Sequence, residues 1–111
     1  MIEVVYTQDR ESRECSLRVT GHAGQAEHGH DVVCASASIL IYTVAQEMRN
    51  MKILGMLEDS PTIELDSGDA TIVCKARNDK VYDQMERAFY LACVGYNLLE
   101  HSYPQYVRLN A

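Results

Sequence analysis

Alternation is the first signal along the chain. Ile2, Val4 and Tyr6 share one face of an opening segment, and Cys15, Leu17 and Val19 alternate with Ser16, Arg18 and Thr20. A period of two is what a strand with one buried face produces. The polar run Gln8-Asp9-Arg10-Glu11-Ser12-Arg13 between them reads as a turn, so these strands form a first hairpin. The period then lengthens. Ala37, Leu40, Ile41, Val44, Met48 and Met51 recur at helical spacing from Asp31 to about Lys52, with Asp31 a favoured N-cap type and Gly55 ending the segment. Thr62–Leu65 and Ala70–Cys74 flank Asp66-Ser67-Gly68-Asp69, a hairpin-turn sequence. Val81, Met85, Phe89, Ala92, Tyr96 and Leu99 mark a second helix, capped by Asn78 or Asp79 and stopped by Pro104. Tyr106–Leu109 reads as a closing strand. The order ββαββαβ predicts an α+β fold, a mostly antiparallel sheet with two helices packed on one face. It predicts a single domain over residues 1–111. Strand order does not follow from the pattern.

Composition adds limits rather than structure. At 111 residues the chain can build a core without staples. Ten Lys+Arg against 16 Asp+Glu leave a net charge of −6, which disfavours nucleic acid and suits a basic partner. No apolar run, Ile39–Tyr42 included, approaches the ~20 residues that span a bilayer. The N-terminus reads as a strand and not as a signal peptide, so the expected compartment is the cytoplasm. Cys15, Cys34, Cys74 and Cys93 are widely separated, with no C-x-x-C pair, which argues against a disulfide framework.

Candidate chemistry gathers between Gly21 and Ser38. Residues 21–31 are rich in Gly and His and lack apolar periodicity, and loops of that length tend to carry function. With Asp31 as N-cap, Cys34 would stand in the first turn of the helix, where free N–H groups and the helix dipole favour a thiolate. His22 would close the preceding strand. Gly21, Gly24 and Gly29 would let the loop fold back to bring His22 to Cys34 and gate the site. The pairing is that of a cysteine hydrolase, and the same N–H groups would receive an oxyanion. Asp31 has two candidate jobs, capping the helix or orienting His22, and Ser38 lies one turn beyond Cys34 on roughly the same face.

Two other readings compete. His22, His28, His30 and Cys34 offer zinc-type ligands for a zinc-dependent hydrolase, but their spacing matches no strong zinc signature, so no metal and no cofactor is expected. A non-catalytic protein-binding module would leave Cys34 as packing. Cys15, Cys74 and Cys93 lie on apolar phases and read as core filler, and His101 sits near a helix C-terminus.

The stretch from Gly21 to Ser38 resembles the signature of the ribosomal-processing cysteine protease family, approximately G-H-A-x-x-A-x-x-G-x-D-[IV]-V-C-A-[AS]-x-S. Gly21, His22, Ala23, Ala26, Gly29, Asp31, Val33, Cys34, Ala35 and Ser38 match in register. Tyr103-Pro104-Gln105-Tyr106-Val107 resembles the family's closing motif, while Gln25, His28, Ser36 and Ala37 depart from common family choices. The resemblance implies a cytoplasmic, homodimeric endopeptidase with Cys34 as nucleophile and His22 as base. It implies removal of the N-terminal extension of bacterial large-subunit ribosomal protein twenty-seven. The family's substrates carry a hydrophobic, phenylalanine-containing segment before the cut and basic residues after it. Related proteins also occur beside phage structural genes, which leaves a phage substrate open.

Overall fold

The computed structural model describes residues 1–22 and 28–111, with the side chains of 28–31 left out. Among these residues five strands and two helices follow in the expected order. The strands are β1 (Ile2–Asp9), β2 (Glu14–Thr20), β3 (Thr62–Asp66), β4 (Asp69–Lys75) and β5 (Val107–Asn110). The helices are α1 (His28–Ile53) and α2 (Asp79–Ser102).

The alternation in β2 and β4 buries Cys15, Leu17, Val19, Ala70, Ile72 and Cys74 beneath the helices. Both helices turn their apolar stripes to that face. Ala37, Ile41, Val44, Met48 and Met51 come from α1, and Val81, Met85, Phe89, Ala92 and Tyr96 from α2. Tyr96 is fully buried, and its phenol donates to the Ala37 carbonyl at 2.7 Å, satisfying the polar end of an otherwise apolar side chain. Burial pushes this phenol above its ordinary pKa. The α2 N-terminus is capped as expected: the Asn78 side chain accepts from the Val81 N–H at 2.9 Å.

The sheet runs β3-β4-β2-β1-β5. β1 pairs with β2, β2 with β4, and β4 with β3, all antiparallel, while β5 returns parallel to β1 with Ile2 opposite Val107. One consequence positions the site. The β2–β4 register sets Thr20 opposite Asp69, so the β3–β4 turn lies beside the point where the chain leaves β2.

One boundary differs from the sequence expectation. α1 begins at His28, three residues before Asp31. Asp31 is therefore not at the N-cap position but inside the first turn, and Gly29 belongs to the helix instead of the loop. Periodicity missed this turn because residues 28–31 carry no apolar stripe to report it. Gly24 lies outside the described residues.

Candidate active site

His22 is placed by backbone contacts from both sides. Gly21 adopts φ 94°, in the left-handed region that only glycine enters freely, and its N–H donates to the Gly68 carbonyl at 2.9 Å. The Met1 amine donates to the His22 carbonyl at 2.8 Å. A side chain on Gly21 would run into the Met1 carbonyl, so the close approach also requires glycine. The His22 ring lies directly against Gly68, where an added Cβ would collide with Nε2 and Cε1. Gly68 itself, at φ 78°, forms the β3–β4 turn with Ser67.

Cys34 projects from the second turn of α1 and is half-buried, whereas Cys15, Cys74 and Cys93 are buried. Burial pushes the Cys74 thiol up to about 12 and the Cys93 thiol up to about 11, and raises Cys15 as well. These three read as core, as their apolar phases predict. Cys15 and Cys74 are direct cross-strand partners under the helices, and the Tyr6 hydroxyl lies 3.6 Å from the Cys15 sulfur.

His22, Cys34 and Ser38 all line one cleft of about 250 Å³. Its α1 wall is completed by Ala37, Ile41 and Tyr42, its floor by Ile2 and Val19, and its opposite wall by the turn residues Asp66 to Asp69. Cys34, Ser38 and Tyr42 recur every fourth residue, a spacing that keeps them on neighbouring lines of one helix face. Asp69 is engaged by Arg18 through two contacts of 3.2 and 3.1 Å, an exposed pair that adds little stability but offsets the Asp69 charge.

The early helix start changes the electrostatics expected around Cys34. With α1 opening at His28, the unpaired N–H groups lie in the turn before Cys34, whose own N–H sits at a position that bonds four residues back. The dipole effect also fades beyond the first turn. The free amides expected beside Cys34 therefore stand about a turn away from it, at the start of α1. Ser38 is the hydroxyl one turn away.

The side chains of His28, His30 and Asp31 lie outside the described residues, and with them the zinc-ligand reading and the His22-orienting role of Asp31. Among the described residues no group of three His, Cys, Asp or Glu side chains is arranged to hold a metal. Among the described residues no helix is long and apolar enough to cross a membrane. Sequence reasoning missed several contributors to the cleft. Gly68 and Asp66 were legible only as hairpin residues, and Tyr42 fell off the buried stripe of α1, although its spacing from Cys34 and Ser38 is a signal in retrospect.

Known proteins share this fold over nearly the whole chain. The family described as Cysteine protease Prp matches residues 1–108. The ribosomal processing cysteine protease Prp of Staphylococcus aureus is 27% identical over 110 residues, which cover 99% of this chain and 98% of the relative. A crystal structure of that essential ribosomal processing protease with a substrate peptide superposes with a TM-score of 0.66 at 26% identity, over 99% of this chain and 98% of the other. A second, with a covalently linked product peptide, gives 0.65 at 27% identity over the same shares.

Proposed function

The chain belongs to the cysteine protease Prp family, and on that premise we propose that it is an endopeptidase acting through a Cys34 thiolate and a His22 base. Its substrate on this reading is the N-terminal extension of bacterial large-subunit ribosomal protein twenty-seven. The observation that carries the proposal is the convergence of His22, from the end of β2, and Cys34, from α1, on one cleft open to solvent. Peptide-bound relatives of the same fold add support.

In the first half-reaction, the Cys34 proton passes to His22 and the sulfur bonds to the scissile carbonyl carbon. The Ser38 hydroxyl donates to the resulting oxyanion. As the tetrahedral species collapses, the C–N bond breaks and the leaving amine takes the proton from His22. In the second, His22 deprotonates a water that attacks the thioester, releasing the carboxylate and restoring the thiol. The described residues supply both the nucleophile and the proton carrier, so this scheme uses no cofactor. Asp31, three residues ahead of Cys34 on α1, supports the entry to the helix or the ring of His22. The net charge of −6 draws a basic segment toward the protein before contact. We place the protein in the cytoplasm, as a homodimer.

The deciding experiment mixes wild-type protein and Cys34→Ala with full-length ribosomal substrate and follows the products by mass spectrometry. Wild type should release a short N-terminal peptide and Cys34→Ala should release none while melting at the same temperature. Equal cutting by both would remove Cys34 from the mechanism.

A further inference from the structure

The first residues of the chain and the closing motif at 103–107 take no part in the chemistry above, yet both reach the proposed base. β1 pairs with β2 from Glu3, opposite Thr20, and the same register carried two residues further sets Met1 opposite His22. The hydrogen bond there is made, the Met1 nitrogen donating to the His22 carbonyl at 2.8 Å. Its neighbour is pinned from the other edge, where the Ile2 N–H donates to the Tyr106 carbonyl at 2.7 Å. The turn presenting that carbonyl is closed by the Tyr106 and Val107 N–H groups, which donate to the Tyr103 carbonyl at 2.9 and 3.1 Å. Ile2 is buried and forms part of the cleft floor. The chain start is thus tied down, where free ends ordinarily fray.

We propose that the main-chain nitrogen of Met1 is a positioning donor for His22, itself held in place by Tyr106 through Ile2. This rests on the reading of His22 as the base. Main-chain contacts hold the histidine on both sides of its Cα. Before it, the Gly21 N–H donates to the Gly68 carbonyl at 2.9 Å; after it, Met1 holds the His22 carbonyl. Together they set the direction in which the ring leaves the backbone. With the Met1 contact gone, the peptide plane after His22 turns and the ring slides from its seat against Gly68. The role belongs to the main chain, because the Met1 side chain is 46% exposed. Met1 is also not among the described residues lining the cleft, so the contact orders the base without touching a bound peptide. Its loss therefore falls on kcat and leaves KM in place.

The test measures kcat, KM and melting temperature on a cleavable peptide, with each protein released from a fusion partner so that its first residue can be chosen. The enzymes are wild type, a chain with one glycine placed ahead of Met1, the same extended chain with Met1→Pro, a chain starting at Ile2, and His22→Ala. The glycine leaves a peptide N–H at position 1, and proline there has none. The glycine-extended chain should match wild type. Met1→Pro and the chain starting at Ile2 should each lose about tenfold in kcat, with KM within about twofold. Both should melt within a few degrees of wild type, because the β1 ladders begin beyond Met1. Full kcat in both, with His22→Ala inactive, overturns the positioning role and leaves the dyad standing. An equal loss in the glycine-extended chain overturns it too, since that donor is intact. A loss confined to KM, or one accompanied in both variants by a collapsed melt, makes the contact structural and has the same consequence. Undiminished cutting by His22→Ala overturns the reading of the base and this proposal with it.

Discussion

Gly68→Ala would separate the stability of the β3–β4 turn from the placement of the His22 ring. Gly68 sits at φ 78°, where an L side chain costs roughly 1–2 kcal/mol. Gly55, just past α1, has nearly the same backbone at φ 71°, yet a Cβ there would meet nothing within 4 Å. The two alanine variants therefore share one backbone strain. For a chain of this size each kcal/mol lowers Tm by about 4 °C, so both should melt roughly 4–8 °C below wild type. They part at the cleft. A Cβ at Gly68 would lie 2.8 Å from Cε1 and 3.2 Å from Cδ2 of His22, and closer still to Nε2. The imidazole is the far end of a rotatable side chain, so it swings aside at little further cost in stability. It then no longer stands where the proposed mechanism places the base. Misplacing a catalytic group by about 1 Å can cost about 10²-fold in rate. Gly68→Ala should therefore lose about 10² in kcat/KM on a cleavable peptide, while Gly55→Ala keeps its activity. Thermal melts by circular dichroism and steady-state kinetics on the same preparations check both halves. Wild-type kcat/KM in Gly68→Ala, or an equal loss in Gly55→Ala, would refute the argument that Gly68 positions His22.

The remaining predictions concern the cysteines and the helix contact. Alkylation of native protein near neutral pH, read by peptide mass mapping, should label Cys34 ahead of buried Cys15, Cys74 and Cys93; early labelling of Cys93 would contradict the burial described. Cys74 and Cys93 are held up to about 12 and about 11 from an ordinary 9.0, so the unfolded chain loses these protons first as pH rises. Their contribution to stability is complete below about pH 9 and lost as pH climbs through the native values. Melting temperature should accordingly fall above about pH 9, less steeply in Cys74→Ala than in wild type, and identical slopes would remove Cys74 from the effect. Tyr96→Phe deletes the 2.7 Å donation to Ala37 and should cost about 0.5–1.5 kcal/mol in chemical denaturation, with an unchanged m-value.

Local pattern determined most of the elements. Period-two alternation identified β1 and β2, the Asp66–Asp69 turn sequence identified β3 and β4, helical spacing identified the buried faces of α1 and α2, and Asn78 caps α2 as its chemistry dictates. The glycine–histidine segment and Cys34 were legible too, as a pattern shared with a known family. Tertiary structure alone decided which strands meet. β4 pairs with β2 across 48 residues of intervening chain between Thr20 and Asp69, and β5 lies parallel to β1. Alternation reports which face of a strand leaves water, but it carries no information about the neighbour along the hydrogen-bonding edge. Because of that pairing Gly68 faces His22, and because of where α1 begins Cys34 stands a turn deeper than its spacing from Asp31 implied. Burial of one face is a property of each segment by itself, whereas the cleft exists only where distant segments are brought edge to edge.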